Sequence, residues 1–136
     1  MLQFVSSLMM TGVIWVVQLV HYPAFIYVED DKFTHFERFH SQRISFIVMP
    51  LMIIELVTAA IILYNATTSG DRIFWGCNLM AIVAIWLSTF ALSVPCHTRL
   101  SRGFDAKVIG KLVATNIPRT CLWTSKSLAL MFWLLD

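Results

Sequence analysis

The chain has 136 residues, of which 58% are hydrophobic and only 13% charged, with ten Lys and Arg against eight Asp and Glu. Its mean hydropathy is +0.74. A soluble domain carries about 25% charged residues to make its polar shell. The composition therefore excludes a disordered chain, a nucleic-acid-binding module and a soluble enzyme, and it predicts a single all-α domain over residues 1–136 surrounded by membrane lipids.

A helix needs roughly 20 mostly apolar residues to cross about 30 Å of hydrocarbon. Four stretches meet that length: Phe4–Val28, Ile44–Tyr64, Ile73–Val94 and Ile117–Leu135. They predict an integral membrane four-helix bundle. The first is read as a span rather than a cleaved leader, because it lacks a basic start and a small-residue cleavage site. His21-Tyr22-Pro23 stands where that site would fall. Four spans put both termini on one side. The loops on the other side carry Lys32, Arg38, Arg43, Arg99, Arg102, Lys107 and Lys111, against Arg72 alone in the terminal-side loop. The positive-inside rule then predicts cytoplasmic basic loops and outward termini.

Between the first two spans, Phe33, Phe36 and Phe39 recur at helical spacing, and Val108, Ile109, Leu112 and Val113 form a similar stripe before the fourth. Both predict short interfacial helices. Ser69-Gly70-Asp71 marks a tight turn that makes spans two and three a hairpin. Pro23 and Pro95 are expected to end or bend their helices, Pro50 to kink span two, and Pro118 to sit in a first helical turn. Cys77, Cys96 and Cys121 are odd in number and show no CxxC spacing, so they predict packing residues rather than a disulfide framework.

Ionisable groups inside a membrane are costly and face the bundle interior or water. Four separate elements bring Gln18, His21, Glu37, His40, His97, Asn116 and Arg119 to the same end of the bundle. Two groups lie deeper. Glu55 is about eleven residues into span two, roughly 16 Å, and Lys126 about nine residues into span four, roughly 14 Å, so their depths allow a pair. Asn116, Arg119, Trp123 and Lys126 follow spacings of three, four and three, which is one inward stripe of a helix.

Imidazole is the commonest protein ligand for transition metals. His21, His40 and His97 are thus a candidate metal set, with Glu37 or Glu55 as a further ligand, and His21 with His97 a candidate haem pair. The plainer reading makes the histidines hydrogen-bonding or acid–base groups without a metal. No Gly-rich nucleotide motif is present, so no nicotinamide or flavin site of the usual kind is expected.

The stretch Gln18-Leu19-Val20-His21-Tyr22-Pro23, the Phe39-His40 pair with Arg43, and above all Val94-Pro95-Cys96-His97-Thr98-Arg99 followed by Asn116-Ile117-Pro118-Arg119-Thr120-Cys121-Leu122-Trp123 carry a resemblance. The chain resembles the small four-helix bacterial membrane proteins of unknown function akin to the anthrone-oxygenase-like family. The resemblance implies a four-helix membrane bundle of the bacterial cytoplasmic membrane and oxygenation of polycyclic aromatic substrates without a classical cofactor. By position it implicates His21, His97, Asn116, Arg119 and Trp123.

The sequence thus predicts a polar pocket that takes a lipophilic aromatic or quinone-like molecule. His21, His97, Asn116 and Arg119 would be catalytic there, and Gln18, Glu55, Trp123 and Lys126 substrate-binding. One histidine would act as base, and Arg119 with Asn116 would steady a developing phenolate. Two other readings stand beside it. One is a proton-coupled carrier, acting as a homo-oligomer and using Glu55 and Lys126 as its coupling pair. The other is a non-catalytic membrane subunit.

Overall fold

The computed structural model describes residues 1–135. The chain forms four long helical rods: α1 (Leu2–Tyr27), α2 (Asp30–Tyr64), α3 (Ser69–Leu100) and α4 (Ala106–Leu135). α1 packs on α2 and α4, α2 on α3, and α3 on α4, which closes a ring of four. The first three rods are long and apolar enough to cross a membrane. α4 falls short of that apolarity because its inward stripe is polar: Asn116, Arg119, Thr120, Lys126 and Ser127 are all buried.

The outer surface is apolar and much of the interior is polar. Leu19, Val20, Phe46, Ile73, Met80 and Phe132 are exposed, whereas Gln3, Ser7, Gln18, Glu37, Glu55 and Lys126 are buried. This is the distribution a bilayer demands, since lipid solvates apolar side chains and only other protein groups satisfy polar ones. Within a bilayer, hydrogen bonds between helices contribute about 0.6 kcal/mol each and up to about 1.7. Ser7 and Ser127 pair at 2.9 Å, Thr11 and Ser127 at 2.8 Å, and the Trp15 indole donates to Thr124 at 3.0 Å.

The helix starts follow local chemistry. Thr68 caps α3 by accepting from the Asp71 N–H at 3.0 Å, and Asp30 and Asp31 face the positive end of α2. Gly103, at φ +153°, turns the chain from α3 toward α4. Asp105 then accepts from the Val108 and Lys107 N–H groups at 3.2 and 3.1 Å and from Arg99 Nε at 3.2 Å. These donors, the Val108 N–H first, hold the Asp105 carboxyl below its ordinary range. A depressed carboxyl stabilises the fold above its unfolded value, about 3.9, and loses that contribution as pH falls through the folded value. Asp105→Ala is therefore expected to lower the melting temperature at pH 7, and the gap to wild type is expected to close on acidification below about pH 3.9.

Two elements differ from the sequence expectation. The short interfacial helices do not exist as separate units. Residues 30–43 are the first turns of α2, and 106–115 the first turns of α4, because no glycine or proline stops either run before the apolar span begins, Gly110 being carried within the helix. Phe33 stands inside the bundle instead, edge-on to Phe25 at 6.2 Å and to Phe104 at 5.3 Å. Pro118 is likewise no first-turn residue but lies well inside α4, which begins at Ala106. Pro50 sits within α2, which is one α-helix from Asp30 to Tyr64.

The two remaining prolines share a feature. α1 widens to a π-helical turn at Val17–His21, and α3 does the same at Thr89–Ser93. Pro23 and Pro95 stand two residues beyond these turns. A proline has no N–H for the carbonyl four residues back and its ring collides with that carbonyl. One extra residue in the preceding turn relieves the collision and rotates the next stretch of helix. Tyr22 is thereby buried, and His21 and His97 reach the interior edge.

Candidate functional site

The polar residues form two clusters. At the Pro23–Pro95 end, three helices bring their imidazoles together. His21 Nε2 of α1 lies 2.6 Å from His40 Nδ1 of α2, with ring centroids 4.3 Å apart. His97 of α3 packs against His40 at 5.6 Å between centroids. Its Nδ1 lies 2.7 Å from Glu37 Oε1, and its Nε2 lies 3.1 Å from the Tyr22 hydroxyl. A carboxylate at Glu37 accepts the Nδ1 proton, which leaves Nε2 as acceptor for the Tyr22 O–H. Ser41 also donates to Glu37 Oε1 at 2.7 Å. Glu37 is fully buried, and its Oε2 and His40 Nε2 are buried without a partner.

A ladder beside this chain crosses from α1 to α4. Gln18 Nε2 donates to the Val113 carbonyl at 3.3 Å, and Asn116 Nδ2 donates to Gln18 Oε1 at 2.9 Å. Arg119 donates from Nη2 to Asn116 Oδ1 and from Nη1 to Thr89 Oγ1 at 3.2 Å, and it faces the Tyr22 phenol. Arg119 is 5% exposed and its Nε has no partner. Among the described residues it forms no salt bridge with an acidic side chain.

The second cluster lies deeper. Lys126 Nζ donates to Glu55 Oε1 at 2.7 Å and to Ser7 Oγ at 2.6 Å, while the Trp123 indole donates to Glu55 Oε2 at 3.0 Å. Both charges are almost completely buried. Each carboxylate oxygen already has a donor, so the pair is closed on itself.

A pocket of about 490 Å³ opens between α1 and α2. Its walls are Gly12, Val13, Val16 and Val17 on one side and Phe36, Phe39, Ile44 and Ile47 on the other, with His21 and His40 at its base and Arg43 at its rim. Val16, Phe39 and Ile47 are exposed, so the mouth lies on the apolar outer surface.

The sequence-derived site residues therefore separate. His21, His40 and His97 meet at one end, with Gln18, Asn116 and Arg119 alongside. Glu55, Trp123 and Lys126 form their own cluster and do not line the pocket beside His21. The three imidazoles are joined to one another, to Glu37 and to Tyr22. No group of three or more His, Cys, Asp or Glu side chains among the described residues is disposed to hold a metal ion. Each ring of the haem pair suggested from sequence, His21 and His97, is packed against His40. His35 is exposed, away from the others. Tyr22 and Thr89 belong to the site, although the sequence alone does not assign them a role in it, and Glu37, expected from sequence as a further metal ligand, instead accepts from His97 and Ser41. The i,i+3 spacing of Glu37 and His40 is the available signal for Glu37. Pro23, directly after Tyr22, is the signal for a locally rotated helix. Comparison with protein-family models, with curated proteins and with solved structures finds no match.

Proposed function

We propose that the protein is a membrane oxidoreductase of the oxygenase type, acting on a lipophilic hydroxylated aromatic that enters from the bilayer. The observation that carries this reading is the His21–His40 imidazole pair, in hydrogen-bond contact at the base of an apolar pocket whose mouth opens on the apolar outer surface. Such a pocket binds a flat apolar ring, and the imidazole pair takes a proton from it. The resulting anion gives electrons to dioxygen. One oxygen atom then enters the ring as a carbonyl, and the other leaves as water with two hydrogens: those of the ring methylene in an anthrone-type keto tautomer, or the hydroxyl proton and the ring hydrogen in the phenol form. Arg119, a buried guanidinium without an acidic partner among the described residues, raises the local positive potential on the Tyr22 side of the imidazole chain. In this reading the protein sits in the bacterial cytoplasmic membrane, with its basic loops in the cytoplasm and its termini outside.

The carrier reading has less support, because the Lys126 charge is taken by Glu55 and both Glu55 oxygens already have donors.

Anthrone is a suitable probe, because its enolate absorbs at longer wavelength than the neutral ketone. Titration into full-length protein in nanodiscs without oxygen is expected to give the enolate band. The band is expected to vanish in His40→Phe, which keeps the ring volume but removes the acceptor. A neutral-ketone spectrum in the wild type at saturating anthrone overturns the proposal.

A further inference from the structure

We propose a second binding site, between α3 and α4, for the protonated carboxyl head of a long-chain carboxylic acid drawn from the bilayer. The site is a groove of about 290 Å³ whose inner wall carries Asn78 and Lys126. It shares no lining residue with the pocket beside His21 and does not depend on the oxidoreductase reading.

Asn78 is 6% exposed, and neither its Nδ2 nor its Oδ1 has a hydrogen-bond partner. Buried amides are ordinarily paired, so a side chain with both ends open marks a place where something else completes it. The groove it lines is not sealed. Cys77, Ser125 and Ala129 form its mouth and are exposed on the outer surface, and Phe74 supplies an apolar wall. An occupant therefore enters from the lipid side and comes to lie against Asn78, whose two polar amide atoms are covered in this conformation and turn into the groove by rotation about the side-chain bonds.

The carboxamide determines the chemistry of the head group. It presents one donor and one acceptor side by side, and a carboxylic acid presents the complementary pair. Asn78 Nδ2 donates to the acid carbonyl, and the acid O–H donates to Asn78 Oδ1. The protonated form fits better than the carboxylate for a second reason. Lys126 is the nearby cation, and its charge is already balanced by Glu55 at 2.7 Å. The groove thus has no net charge to offset an added anion in a medium where unpaired charge is costly. The alkyl chain of the acid lies along the apolar outer faces of α3 and α4.

The test uses a palmitic acid carrying a diazirine near its carboxyl end, added to full-length protein in phosphatidylcholine nanodiscs, with cross-links located by mass spectrometry. Labelling is expected on residues 73–81 and 125–129. It is expected to fall at least tenfold in Asn78→Leu and in Ser125→Phe, which plugs the mouth and leaves Asn78 intact. Palmitic acid is expected to compete, and methyl palmitate, which lacks the acid proton, is not. Labelling retained in either variant, or equal competition by the ester, overturns the proposal. Cross-links confined to residues 36–47 place the acid in the pocket beside His21 and overturn it as well, as does labelling no stronger than that of an arbitrary lipid-facing segment, which leaves Asn78 to water alone.

Discussion

Lys126→Met is expected to destabilise the protein by about 3–5 kcal/mol, the cost of removing one partner of a buried pair. The lysine holds Glu55 Oε1 and Ser7 Oγ at once, so its loss leaves a carboxylate oxygen of α2 without its donor and the Ser7 hydroxyl of α1 to Ser127 alone. Three helices lose a shared anchor in that single change. Glu55→Gln combined with Lys126→Met is expected to recover most of the loss, because the amide retains an acceptor for the Trp123 indole and no charge remains in that cluster. The measurement is unfolding in mixed micelles for wild type, both single variants and the double, from which a four-corner cycle gives the coupling. If Lys126→Met lies within about 0.5 kcal/mol of wild type, as a surface change would, the pair does not anchor the bundle.

That anchor is legible in the sequence for a simple reason. In a membrane helix, depth is set by position at about 1.5 Å per residue, so Glu55 and Lys126 can be matched by counting alone. The stripe Asn116, Arg119, Trp123 and Lys126 is equally legible, since a helix of 3.6 residues per turn places those spacings on one face. Every member is buried. The four rods come from the same arithmetic.

Counting does not supply rotational phase across an irregular turn. The contacts of His97 with Tyr22 and Glu37 depend on how α1 and α3 are wound after Val17–His21 and Thr89–Ser93. Each π turn shifts the residues beyond it by about one position relative to an α-helix. Hence a regular wheel misplaces Tyr22 although it places Gln18 correctly. The interfacial helices fail for a different reason. A stripe of Phe33, Phe36 and Phe39 shows that one face is apolar but not what it lies against. Here Phe25 and Phe104 meet Phe33 inside the bundle, and α2 continues straight from there into its apolar span.

His21→Ala and His40→Ala are each expected to slow aerobic oxidation of anthrone by about 10²–10⁴-fold, the range lost with a general base. The structure makes a stronger demand on the double variant. The two rings share one proton position, Nε2 of His21 against Nδ1 of His40 at 2.6 Å. Residues that act as one unit are not additive. The double variant is therefore expected to be no slower than the worse single one. Glu37→Gln tests the neighbouring link. It removes the charge that fixes the His97 tautomer but leaves the His21–His40 contact untouched, so its rate is expected to fall less than that of either histidine variant. Oxygen uptake and anthraquinone formation in nanodiscs supply the rates, and the melting temperature of each variant separates chemistry from folding. Multiplicative losses in the double variant would show two independent groups, and an unchanged rate in both single variants would move the base away from this pocket altogether.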